Sequence, residues 1–214
     1  MTWSEVWALL IPLIFFLIYK QKDNTTRPII YYIFIGLILN LLATLVIVFF
    51  FKLPEHLRNN TIFYNLHSIA RVSFFSWYII TIRKYYRPQL YKILLAAYFV
   101  FLAFNFIFND SITVYNNDLA TAETITLLVL CIFFFLRSIQ DDSEVNWLKH
   151  PAFLFCAGIF LYESVSFFIN LFFYKMAEKN LSFGSLMLDI QNLIFLILCL
   201  MISMGLYSNR TKNE

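Results

Sequence analysis

Polar and apolar positions along this chain fall in blocks rather than in alternation. Long apolar runs are separated by short polar stretches. Crossing about 30 Å of hydrocarbon at a rise of about 1.5 Å per residue needs close to twenty such residues. Runs of that order lie at about 3–19, 28–51, 61–82, 91–108, 119–137, 151–174 and 183–207. The pattern predicts an all-α polytopic membrane protein, one domain over 1–214 built from seven transmembrane helices. Pro28 and Pro151 stand at first turns, where a missing N–H costs nothing. Asn60, Asp118 and Ser182 are expected as N-caps of the third, fifth and seventh helices. Trp3, Trp7, Tyr19, Tyr31, Tyr32, Tyr85, Tyr86, Trp147 and Tyr174 sit near run ends, as an interfacial belt would.

Composition sharpens this picture. The chain is 61% hydrophobic and only 14% charged, with 26 Phe and 13 Tyr, which excludes an ordinary soluble domain. Four Gly and five Pro leave little material for flexible linkers. The net charge of +3 matters less than its placement. Lys20, Lys22, Arg27, Arg83, Lys84, Arg87, Lys92, Arg137, Lys149, Arg210 and Lys212 fall on one side of the predicted topology; Lys52, Arg58, Lys175 and Lys179 fall on the other. The positive-inside bias therefore predicts the N-terminus outside and the C-terminus cytoplasmic, in the inner (plasma) membrane. The first run carries Glu5 instead of a basic leader and has no small-residue cleavage site, so it is not expected to be a signal peptide. Membrane lipid is the expected partner of the basic loops, with no role for nucleic acid.

Ionisable residues inside the runs are few: His67 and Arg71 in the third, Glu123 in the fifth, Glu163 in the sixth and Asp189 in the seventh. Asn40, Asn105, Asn170, Gln191 and Asn192 accompany them. An arginine at mid-bilayer costs at least about 2.5–3.5 kcal/mol on insertion scales and needs a partner. Glu163 and Asp189 are the expected partners of Arg71, with Glu123 as a third candidate. One arginine facing three acids leaves an acidic surplus, so at least one acid is expected to hold a proton or meet a cation. Three- and four-residue steps place Ser185, Asp189, Asn192, Leu196, Cys199 and Ser203 on one stripe of the last helix, expected to face the bundle. The same spacing aligns Glu163, Ser166 and Asn170, and likewise Gly36, Asn40 and Thr44. The inner halves of the fifth and seventh runs are nearly pure hydrocarbon, so a polar cluster would open outward. His67, Arg71, Glu123, Glu163, Asp189, Asn192 and Asn40 are the candidate ligand-binding or ion-pairing residues, set against a plain structural role in locking helices together.

Several chemistries are not expected. Cys131, Cys156 and Cys199 lie in apolar runs without a C-x-x-C and read as buried thiols. Residues 183–207 contain no lysine for a retinal Schiff base. Of His56, His67 and His150 only His67 falls at membrane depth, so no zinc cluster is expected. A hydrolase built from Ser68, His67 and Asp189 is disfavoured because neighbouring residues face different sides of a helix. Pro88-Gln89 is placed in a cytoplasmic loop, outside any helix.

The blocks "LATAETITLLVLCIFFFLRSI" and "HPAFLFCAGIFLYESVSFF", with the topology, make the chain resemble small bacterial seven-helix membrane proteins that look like detached membrane-sensor regions of histidine kinases. The resemblance implies periplasmic or lipid-borne input and output through a cytoplasmic partner such as a histidine kinase. Arg83, Lys84, Arg87, Asp141, Asp142 and Glu144 are the candidate partner-binding residues on the inner loops. Pro12, Gly36, Gly158 and Gly184 are candidate bending points. A small transporter or channel for a proton, cation or small anion is the competing expectation, and an intramembrane lipid hydrolase ranks below both.

Overall fold

The computed structural model describes residues 7–19, 24–52, 54, 59–82, 88–108, 113, 117–140, 150–177 and 181–210. Their regular structure is helical throughout, with no strand among them. The α-helices are α1 (Leu10–Tyr19), α2 (Arg27–Val48), α3 (Thr61–Ile82), α4 (Pro88–Phe108), α5 (Asn117–Gln140), α6 (Pro151–Ala177) and α7 (Leu181–Arg210). Five of these, α2, α4, α5, α6 and α7, are long and apolar enough to cross a membrane. The chain is a helical membrane protein. Two predicted spans fall short by that measure for different reasons. The described helix α1 has only 10 residues, whereas α3 has 22 but carries too many polar groups.

Helix starts follow local chemistry in part. Pro28 occupies the first turn of α2 and Pro151 opens α6, as a residue without an N–H should. Asn60 immediately precedes α3, and the neighbouring Asn59 side chain accepts a hydrogen bond from the Thr61 N–H at 2.8 Å. Asp118 and Ser182 are not caps, because α5 starts at Asn117 and α7 at Leu181, one residue earlier. In α5 the Asp118 carboxylate instead sits in the first turn, where it meets the positive end of the helix dipole. Pro88-Gln89 opens α4 instead of lying in a loop.

Neighbouring helices close a ring. α1 packs on α2 and α7, α2 on α3, α3 on α5, α5 on α6, and α6 on α7. α4 lies outside this ring against α3 and α5. It buries Tyr91, Tyr98 and Asn105, a spacing of seven that makes one narrow seam, as two helices in shallow contact require. Elsewhere α4 presents Ile93, Val100, Phe104, Ile107 and Phe108 outward.

Lipid tails are as apolar as leucine, so burial of hydrocarbon does not by itself bring such helices together; close packing must. Glycine supplies it where α6 meets α7. A Cβ at Gly205 would stand 2.7 Å from the Phe155 ring, and one at Gly158 would stand 3.1 Å from the Met201 Cβ. Gly36 serves the same end in α2, against Leu9 and the His67 imidazole. Gly36 and Gly158 therefore mark close approaches within unbroken helices, not bends. Tyr32 also departs from expectation. It is fully buried, with its ring centroid 4.5 Å from that of Phe75 and 5.6 Å from that of His67, so it belongs to the core and not to the belt.

Candidate functional site

The ring encloses a cavity of about 450 Å³ at one end of the bundle. Five helices supply its walls: Asn40 and Thr44 from α2, Thr61 to Arg71 from α3, Glu123 and Thr124 from α5, Tyr162, Ser166 and Asn170 from α6, and Gln191 and Asn192 from α7. These come from the C-terminal halves of α2 and α6 and the N-terminal halves of α3, α5 and α7, as an up-and-down ring requires. Asn60 and Thr61 stand at the mouth and Arg71 at the floor, ten residues deep along α3.

Arg71 organises the floor. Its Nε lies 3.1 Å from Glu123 Oε1, a charge contact without hydrogen-bond alignment. Its Nη1 lies 3.9 Å from Glu163 Oε1. The Arg71 guanidinium carbon stands 4.8 Å from the centroid of the Tyr162 ring, the geometry of a cation–π contact. One turn back, His67 Nδ1 is 3.2 Å from Arg71 Nη2. Arginine has only donors, so Nδ1 accepts, and the hydrogen of the neutral ring sits on Nε2. Nε2 has no hydrogen-bond partner and faces Gly36. Ser68 donates to Glu123 Oε2. His67 and Ser68 thus serve different neighbours, α2 and α5, and Ser68 is not bonded to His67 as a nucleophile would be to its base.

The guanidinium resides here because α3 is the polar helix of the ring. Residues three and four apart are neighbours on a helix, so His67 and Ser68 flank Arg71 from one turn back, one toward α2 and the other toward α5. α2, α5 and α6 bring to these side chains a glycine, a glutamate, and a tyrosine–glutamate pair. Truncating one member of a buried ion pair typically costs about 3–5 kcal/mol because the survivor is left uncompensated. The cluster therefore fixes the packing of α3, α5 and α6 whatever else it does.

The structure reorders the expected partners of Arg71. Glu123 is the near partner and Glu163, fully buried, the second. Asp189 is exposed and does not line the cavity. The buried stripe of α7 runs through Gly184, Phe195, Leu198, Ile202 and Leu206, and its cavity face through Phe195, Asn192, Gln191 and the exposed Leu188. Asp189 is one residue further, about 100° around the helix. Ser185 is likewise exposed, whereas Cys199 and Ser203 at the far end of the expected stripe are buried. Asn40 is buried at the cavity wall, and Asn192 is half-buried there. Tyr162, Ser68 and Tyr32 were not among the expected site residues. Tyr162 carries a signal only in hindsight, as the immediate neighbour of an intramembrane glutamate. Arg83, Lys84, Arg87, Asp141, Asp142 and Glu144 lie outside the described residues.

Beyond the floor the bundle is packed and apolar. Phe75, Tyr78, Leu127, Leu130, Phe155, Ile159, Leu198 and Ile202 fill it, with Cys131, Cys156 and Cys199 buried among them as free thiols. Two of its serines turn back on their own helices, Ser138 donating to the Phe134 carbonyl at 2.9 Å and Ser203 to the Cys199 carbonyl at 2.8 Å, whereas the fully buried Ser76 hydroxyl has no partner. Comparison with family models, with curated proteins and with solved structures finds no match for this chain.

Proposed function

We propose that the chain is a receptor-like sensor of the inner (plasma) membrane, with seven transmembrane helices, the N-terminus outside and the C-terminus cytoplasmic. A ligand enters the polar cavity from the outer side, and the protein passes its state to a separate cytoplasmic signalling protein such as a histidine kinase. The single observation that carries this reading is the blind cavity: polar side chains line it from Asn60 at the mouth to Arg71, interleaved with apolar ones such as Ile47, Leu119 and Phe195, and a packed apolar half lies beyond. A binding site needs one opening, whereas a channel or transporter needs a route onward. In the seven-span arrangement α3 crosses the bilayer with its polar sector turned to the cavity and shielded by its neighbours, which explains its low apolarity. On this reading the inner loops around Arg83–Arg87 and Asp141–Glu144 are the proposed docking elements.

Affinity purification of the chain from its native membrane in mild detergent, followed by mass spectrometry, tests the signalling half. A cytoplasmic signalling protein in stoichiometric amount is the expected result; recovery of the chain alone argues against it. Proteoliposomes test the other half. Ion or solute flux that Arg71→Gln abolishes would replace this reading with transport.

A further inference from the structure

Two carboxylates share one guanidinium at the cavity floor, leaving one negative charge over. Among the cavity-lining residues the other basic side chain is His67, whose Nδ1 is already occupied with Arg71. The surplus falls on Glu163. Its side chain has no exposure, its approach to Arg71 is the longer of the two, and neither of its oxygens accepts a hydrogen bond. One turn further along α6, on the same face, Ser166 lines the cavity. It is 3% exposed, and its Oγ also has no partner. The hydroxyl is therefore buried and unsatisfied on the cavity wall, and the two carboxylate oxygens are buried and unsatisfied one turn deeper, behind the residues that line it. Groups of this kind are ordinarily matched by protein, water or an ion.

We propose that Glu163 and Ser166 form a binding site for a monovalent alkali cation, reached through the cavity. Charge decides the valence. A single positive charge brings Arg71, Glu123, Glu163 and the ion to neutrality, whereas a divalent ion would leave an excess positive charge beside a fixed guanidinium. Ligand type decides the class, because hard oxygen donors suit alkali and alkaline-earth ions and not soft transition metals. Water entering by the cavity completes the coordination. With the ion in place Glu163 no longer competes for Arg71, and the guanidinium settles on Glu123. The proposal does not depend on the signalling reading.

The full chain, purified in detergent with N-methyl-D-glucamine as the sole cation, is titrated with NaCl or KCl at constant ionic strength while thermal unfolding is followed. An alkali cation is expected to raise Tm saturably, by on the order of 5 °C. Glu163→Gln keeps the shape and removes the surplus charge; it is expected to match or exceed the wild-type Tm in N-methyl-D-glucamine and to lose the alkali response. Ser166→Ala is expected to fold and to weaken the apparent affinity by about tenfold, the loss of about 1.4 kcal/mol. Identical Tm values in all three salts would overturn the proposal and assign the charge balance to a proton on Glu163. So would an alkali response that survives Glu163→Gln. An alkali response lost in Glu163→Gln, in a chain that recovers no signalling partner, keeps the cation site and removes the sensor reading.

Discussion

The two ends of this bundle are built from the same helices and differ in what those helices carry. At the cavity end, α3, α5 and α6 meet through charge: Arg71 between Glu123 and Glu163, with Tyr162 beneath the guanidinium. At the packed end the same helices and α7 meet through shape, with Gly158 and Gly205 admitting Met201, Leu198 and Phe155. A membrane bundle has no hydrophobic drive toward its own interior, so each end needs some other source of attraction. Charge contact is strong but demands that every partner be present. Close packing is spread over many contacts, each individually weak. The difference suggests a division of labour, with the packed end setting the fold and the charged end sitting close to imbalance.

Mutations should separate the two ends. The largest effect is expected from Arg71→Met, which strands two buried carboxylates; about 3–5 kcal/mol of stability should be lost. Thermal unfolding in detergent reads this directly. Adding Glu123→Gln and Glu163→Gln to Arg71→Met should restore most of the loss, because no buried charge then goes uncompensated. A single Arg71→Met variant as stable as the parent would show that the cluster is not what joins α3 to α5 and α6.

Next come truncations. Ile202→Ala, in the packed end, should cost about 2–5 kcal/mol through the void it opens. Asn192→Ala, half-buried on the cavity wall, should change stability by under about 1 kcal/mol. Equal losses at both positions would remove the contrast between a packed end and a hollow one.

The smallest contrast is between glycines. Gly205→Ala drives a methyl into the buried Phe155 ring and should destabilise by about 1–3 kcal/mol. Gly36→Ala meets only the ends of Leu9 and His67, at 3.0 and 3.1 Å, and should cost less. Its signature should be altered ligand response at the cavity, since the His67 imidazole must shift to admit it.

Much of the fold could be read along the chain. Apart from α1, whose described start falls seven residues into its run, the helices begin and end within a few residues of the apolar runs, and Pro28 and Pro151 mark two of the starts. Composition and run length determined the helical membrane class, because backbone groups in hydrocarbon must be satisfied within their own segment. The depth of the charged residues was equally legible, since rise per residue converts sequence position into distance along a helix. Arg71 and Glu163 could therefore be placed near mid-membrane, with Glu123 somewhat shallower, about one to two turns in from the outer surface. Their pairing could not. In a lipid-facing helix both the buried and the outer sides are apolar, so the pattern of residues carries little information about rotation about the axis. That is why Asp189 was placed toward the bundle, although α7 turns it outward and offers Leu188, Gln191 and Asn192 to the cavity instead. It is also why Tyr32 read as an interfacial ring and Gly36 as a bend. Sequence alone determined which residues lie at the depth of the cluster. Only the packing of α2, α3, α5, α6 and α7 decided which of them touch, because contact depends on the relative rotation of helices distant in sequence.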